Sequence, residues 1–278
     1  YKIADQKNFE KIPGSPIGYW LPHSFIDKIG SNKSIESYGK ATKGLDTCDN
    51  DKFVRYWNEV DGEKFSKYKD CNSKWYVYQK GGDFRRWFGN NEKVVNWQND
   101  GFEIKNFKDE NGKVRSRPQN LIRYFTKGIT WSAIGSSKTS YRLLENSIFG
   151  GGGNGLFLED SYFNYLLGLL NSKITNLFLK LFNPTLNNLT GDLHKIPVLF
   201  KKEYTLQISE IVDNTIKISK SDWNSHEVSW DFKQNELIRL KSGTLEESFN
   251  NYKNFWKEQF FQLHENEEEL NRQFIEIY

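Results

Sequence analysis

The stretch NGKVRSRPQNLIRYFTKG, followed by SAIGSSKTSYR, holds the densest supply of groups able to grip an anion or a base edge. Arg115, Arg117 and Gln119 follow the hairpin-forming pair Asn111-Gly112, with Arg123 just beyond. A guanidinium can take guanine O6 and N7 with two bonds, and a Gln amide can do the same with adenine N6 and N7. Arg117 and Gln119 are therefore the expected base readers. Lys127, Ser136, Ser137, Lys138, Thr139 and Arg142 offer ammonium, hydroxyl and guanidinium donors suited to phosphate oxygens. Upstream, Arg85 and Arg86 stand among Phe84, Trp87 and Phe88. Such interleaving of cations and rings suits a sugar-phosphate backbone or unstacked bases. It fits equally well a β-rich core whose arginine stems lie along apolar surface.

The charge is divided along the chain. Residues 74–142 hold 14 Lys/Arg against 6 Asp/Glu, a net of +8, and residues 201–278 hold 10 against 15, a net of −5. The whole chain carries only +3. A basic middle beside an acidic tail fits a surface that faces a polyanion, and it also fits an ordinary solvated surface. Other chemistries find little footing. Asp46, Asp49 and Asp51 lack the Gly and the distal Glu of a calcium loop and read as an Asx-rich turn before a strand. Asp83, Glu103 and Lys105 are the residue types of a metal nuclease, with nothing in their spacing to gather them. His194 has no cluster at metal spacing and reads as a structural or surface histidine. Gly150 to Gly153 lack the Gly-Lys-Ser/Thr ending of a phosphate loop and read as a mobile loop. No catalytic, cofactor-binding or metal-binding residue is expected. Cys48 and Cys71 set no disulfide framework, so a reduced, cytoplasmic setting is expected. No apolar run reaches membrane length, and no membrane partner is expected.

These groups need a scaffold. Phe53–Trp57, Trp75–Tyr78, Val94–Trp97 and Ile129–Ile134 read as strands from their aromatic and β-branched content. Residues 161–182, SYFNYLLGLLNSKITNLFLKLF, repeat large apolar residues in steps of three and four. That spacing predicts one helix of roughly 30 Å, buried on most sides. Asp160 and Ser161 can cap it and Asn183-Pro184 can stop it. Leu206–Ile218 predicts a further helix, 222–232 a docking loop, and 245–278 one or two helices carrying an acidic block at Glu265 to Glu269. The expected fold class is α+β, with a β-rich basic N-terminal half, a central buried helix and a helical acidic C-terminal region. The expected division is a recognition portion at 1–160 with an N-terminal connector, and a bracing and docking portion at 161–278, packed as one module. Tyr at position 1 and the lack of any Met lead us to expect a fragment of a longer protein.

Several motifs, in order, resemble one family. IPGSPIGYW, GLDTCDNDKFVRYW, KWYVYQKGGDFRRWFGNNEKVVNW, NDGFEI, RSRPQN, GITWSAI, LLNSKITN, NPTLNNLTGDLHKIP and DWNSHEVSWDF together resemble the TaqI-like target-recognition region of adenine-specific DNA methyltransferases of the PglX type, from the BREX antiviral systems. Cys48 stands where that family's turn is expected to carry Gly. The resemblance implies recognition of a duplex DNA target for adenine-N6 methylation, as in restriction-modification. It also implies a separate N-terminal methyltransferase domain that binds S-adenosylmethionine. The Asn/Asp-Pro-Pro-Tyr/Phe site of methyl transfer does not occur here, since Asn183-Pro184 continues as Thr185-Leu186. The chain by itself is thus expected to hold no cofactor and to catalyse nothing. Its expected partners are double-stranded DNA, the methyltransferase domain, and other BREX components or a DNA-mimicking phage inhibitor. The alternative reading is a protein-interaction or structural module of a defence complex, whose basic middle meets an acidic partner.

Overall fold

Aromatic and β-branched runs build two sheets in the first half of the chain. The computed structural model describes residues 6–12, 14–70, 72–134, 138–183, 185, 187 and 189–278. Its strands are β1 (Gly39–Thr42), β2 (Val54–Tyr56), β3 (Phe65–Ser66), β4 (Trp75–Gln79), β5 (Lys93–Asn96), β6 (Gly128–Ser132), β7 (Tyr141–Leu144), β8 (Ile148–Phe149) and β9 (Gly153–Leu158). One sheet runs β1-β9-β6-β7 and is antiparallel throughout. The other runs β2-β5-β4-β3, with β8 parallel to β4. The helices are α1 (His23–Ser31), α2 (Asn50–Phe53), α3 (Gln98–Lys105), α4 (Asp160–Asn171), α5 (Lys173–Phe182), α6 (Thr190–His194), α7 (Lys202–Asn224), α8 (Glu236–Arg239) and α9 (Leu245–Ile277). The architecture is α+β, with sheets in the N-terminal region and long helices in the C-terminal region.

The first sheet is buried on both faces. Successive side chains of β9 divide between two clusters, as a strand's alternation requires. Leu156 joins Ile129, Trp131 and Tyr141 against Leu166, Leu170 and Phe274 of the helices. Phe157 joins Tyr78, Val95, Tyr124 and Phe149 between the two sheets.

The expected single helix at 161–182 is two. Ser172 leaves the helix with φ −78° and ψ 165°. The polar triplet Asn171-Ser172-Lys173 accommodates the break, Asn171 and Lys173 through bonds to distant chain and Ser172 through one to the preceding turn. Asn171 Oδ1 accepts from Tyr141 N at 3.0 Å, and its Nδ2 donates to Tyr141 O at 3.0 Å, so one side chain binds the backbone of β7. Ser172 Oγ donates to Leu169 O at 2.6 Å. Lys173 N, freed at the start of α5, donates to Asn271 Oδ1 of α9 at 2.8 Å. The predicted caps also differ. Asp160 lies in the first turn of α4 and pairs with Lys127 at 2.8 Å, and Glu159 holds the cap position. Helix α5 ends at Phe182 as expected, while Pro184 is outside the described residues.

The glycine run is a tied turn: Gly150 is buried where backbones cross, and Gly151 and Gly152 form the exposed turn that leads into β9. Gly150 N donates to Gln79 O, Gly151 N to Leu45 O, and Gly152 O accepts from Ala133 N. Gly153 already belongs to β9. A Cβ on Gly44 would stand 1.8 Å from Phe149 O, so only hydrogen fits where these backbones meet. Part of the expected Phe53–Trp57 strand is replaced as well. Asp49 Oδ1 accepts from Lys52 N and caps α2, so only Val54–Tyr56 pair with β5.

The segment after α7 docks on the second sheet. Trp57 Nε1 donates to Val228 O at 2.8 Å, Lys67 pairs with Asp231, and the Phe65 and Trp230 rings lie 5.9 Å apart. Helix α6 closes the edge of β1, where Ala41 N donates to His194 Nε2 at 2.8 Å. That bond needs a neutral ring, and partial burial lowers the His194 pKa from 6.5, against a smaller upward pull from Glu36. Because the folded pKa is depressed, the stabilisation is present above about pH 6.5 and is lost as pH falls through the lowered value. A His194→Gln variant should therefore differ most from the parent at neutral pH, with the difference in Tm shrinking towards pH 5. A difference that stays constant from pH 8 to 5 would count against this role.

Candidate nucleic-acid interface

Local turns project the basic stretch from the molecule. Asp109 Oδ1 accepts from the backbone N–H groups of Asn111 and Lys113 at 3.0 Å each, and Gly112 takes φ +75°. The turn returns the chain so that Lys108 bridges Val114 and Arg115 N reaches Phe107 O at 2.9 Å. Arg117 then exchanges both backbone bonds with Asp46, at 2.8 and 3.1 Å. Between the arginines, Ser116 points inward and donates to Ile104 O. Alternation along this extended segment thus exposes Arg115 and Arg117.

Cys48 takes φ +56°, the left-handed region that favours glycine. Its Sγ donates to Arg115 O at 2.9 Å and its N–H to Asp46 Oδ1 at 3.2 Å. Partial burial, then Asp46, push the thiol pKa above its ordinary value. The Asp46–Cys48 turn is therefore a clamp on the backbone that bears both arginines.

Gln119 is exposed, and Asn120 turns the chain in the left-handed region, with its Nδ2 donating to Lys43 O at 2.8 Å. A short 3-10 turn, Leu121–Arg123, follows. Arg123 is exposed, its guanidinium 5.5 Å from the centre of the Phe157 ring. Beside it opens a cavity of about 510 Å³, bordered by Lys40, Glu36 and His194. Among the described residues, Arg115, Arg117, Arg123 and Lys138 make no ion pair.

The other expected contacts are placed elsewhere. Arg142 is fully buried, so it cannot meet a phosphate at this surface. Its Nη1 donates to Arg85 O at 3.1 Å, and burial lowers its pKa to about 10 against an upward pull from Glu92. Thr139 is buried too. Arg85 and Arg86 turn towards the acidic tail. Arg85 pairs with Asp222 of α7 at 2.6 Å and lies 4.9 Å from the Trp223 ring. Arg86 Nη1 and Trp87 Nε1 both donate to the Glu267 carboxylate of α9, at 2.7 Å each. A cavity of about 350 Å³ lies here, lined by Phe84, Trp256, Phe260 and Leu263. Lys138 is exposed, and Ser136 and Ser137 lie outside the described residues.

Two of the nuclease-like trio are engaged in other bonds: Lys105 pairs with Asp100 at 2.6 Å and Glu103 with Lys52 at 3.2 Å. Among the described residues no group of three or more His, Cys, Asp or Glu side chains could hold a metal ion. Among them, too, no helix is long and apolar enough to cross a membrane. Two further residues of this surface, Lys43, whose backbone oxygen holds Asn120, and the exposed Ile122, belong to no motif that singles them out in the sequence.

No family model matches the chain. It is 36% identical over 283 residues to the adenine-specific methyltransferase BrxX of Escherichia coli O9:H4 (strain HS), a match covering 100% of this chain and 22% of that protein. It is also 36% identical over 287 residues to the adenine-specific methyltransferase PglX of Lacticaseibacillus casei (strain Zhang), covering 98% of this chain and 24% of that protein. The chain is homologous to one segment of these methyltransferases. It spans about a quarter or less of their length.

Proposed function

We propose that this chain reads a duplex DNA target for an adenine-N6 methyltransferase of a BREX phage-defence system. In this reading S-adenosylmethionine binding and methyl transfer belong to a separate methyltransferase domain of the same protein. The observation that carries it is the clamped strip on which Arg115, Arg117 and Gln119 stand exposed beside Arg123, with the three arginines unpaired by acids among the described residues. Cations held at fixed spacing favour a phosphate backbone, and Arg117 and Gln119 suit base edges. Lys138 serves the phosphates. In the whole methyltransferase, a folded Arg117→Ala or Gln119→Ala variant should lose about 1–3 kcal/mol of discrimination between the target and single-base variants. Lys138→Ala should weaken all sequences alike. The chain alone, given duplex DNA and labelled methyl donor, should form no N6-methyladenine. Full target preference in folded Arg117 and Gln119 variants would sink this placement of base reading. A second reading, docking of another defence component, draws on the half-exposed Phe249, Phe260 and Phe261 of α9. An acidic, DNA-mimicking protein would instead compete for the basic strip.

A further inference from the structure

The turn at Leu121–Arg123 presents the most exposed large apolar side chain among the described residues: Ile122 is 86% exposed and Leu121 beside it 44%. Single exposed isoleucines are common, and exposure alone means little. Three features set this one apart. Its mount is stiff. Asn120 Nδ2 ties the turn to Lys43 O at 2.8 Å, and Arg123 N closes on Asn120 O at 2.8 Å. Tyr124 plugs the base of the turn into the core, its ring 5.2 Å from that of Trp97 and 5.6 Å from that of Phe149. Phe125 N adds a bond to Ser147 O at 2.9 Å. Two exposed arginines flank it, Arg117 before the turn and Arg123 within it. The turn also follows directly on Gln119, so a duplex held by Arg117 and Gln119 meets Ile122 next.

We propose that Ile122 is an apolar wedge that enters the duplex beside the target base and opens its stack. This rests on the DNA-reading function above. A rigid apolar tip flanked by cations is what insertion between base steps requires. The cations hold the backbone while the side chain takes the place of the stacking that the bases give up. Opening the stack is also what an enzyme acting on a base inside a duplex must achieve. A flexible tip would forfeit the gain to ordering entropy. Ile122 is then a positioning residue, remote from the methyl transfer itself.

The test uses the whole methyltransferase and single-turnover formation of N6-methyladenine. The substrates are a fully paired target duplex and the same duplex with the target adenine opposite an abasic site, where the base is already loosened. Ile122→Ala should slow the paired duplex by about tenfold or more, because the unstacking of the step is no longer offset. It should slow the abasic duplex much less. Ile122→Leu should restore the paired rate, and Tm should not move, because the side chain touches solvent. Equal losses on both duplexes, or no loss on either, would overturn the wedge. The base-reading variants separate the two ideas. Intact preference in folded Arg117 and Gln119 variants defeats the recognition reading and the wedge with it. Lost preference there, with Ile122→Ala at the parent rate, defeats the wedge alone.

Discussion

Replacing Arg115 and Arg117 together by alanine is expected, on the proposed DNA-reading function, to weaken duplex binding of the full-length protein by roughly tenfold or more near physiological salt, and to flatten its salt dependence by about 2 in log–log slope, about 1 for each phosphate no longer neutralised. Both side chains leave a backbone clamped to Asp46–Cys48 and point into solvent, so the fold should survive. Lys253 and Lys257 are equally exposed, but they sit on the acidic α9, and their double alanine variant should bind almost as the parent does. Arg142→Met is the third arm. A buried guanidinium contributes no counterion release, so the slope should stay unchanged whatever happens to stability. Titrations of duplex DNA at several ionic strengths measure all three. Equal losses from the Arg115/Arg117 and Lys253/Lys257 pairs would sink the map.

Phe274→Ala should destabilise the folded chain by about 3–5 kcal/mol, the range for an aromatic side chain removed from a close-packed interior. Phe274 is 0% exposed, and its ring lies edge-on to Tyr165 at 5.3 Å. A Cβ on Gly168 of α4 would come within 3.3 Å of it, so the helices leave no slack to collapse into the cavity. Phe261→Ala, on the same helix but half-exposed, should stay within about 0.5 kcal/mol of the parent. Urea denaturation distinguishes the two. A loss below about 1 kcal/mol for Phe274→Ala would mean that α9 does not hold the helices on the first sheet.

What could be read ahead of the structure was local. Trp75–Tyr78 and Val94–Val95 lie in strands because their side chains fit a pleated buried surface. Asn111-Gly112 turns the chain where that pair favours a turn, and the repeat at 163, 166, 167 and 170 faces the core. The acidic tail was legible as helix, though whether it was one helix or two was not. What escaped was set by partners far along the chain. Arg85 and Arg86 are drawn to Asp222 and Glu267, and composition cannot tell an arginine awaiting phosphate from one that already has its carboxylate. The break at Ser172 is accommodated by Tyr141 and Asn271. The exposed turn at Gly151-Gly152 was legible, but nothing nearby in sequence announces the backbones of Gln79, Leu45 and Ala133 that tie the glycine run down.

The bond between Trp87 and Glu267 has a consequence for how the molecule is made. Its two residues lie 180 positions apart. Ribosomes add about 5–20 residues per second, so roughly 10–40 seconds pass between the emergence of one and the other. Until α9 arrives, the helix-facing side of the first sheet, with Trp131 and Tyr141, has only part of its cover, and α4 and α5 lack Leu270, Phe274 and Ile277. The arginines that pair with the tail are meanwhile free cations beside a bare apolar face. Completion of this module therefore waits for α9, and a chain that stops before residue 267 leaves the helix-facing side of the first sheet without the cover of Leu270, Phe274 and Ile277.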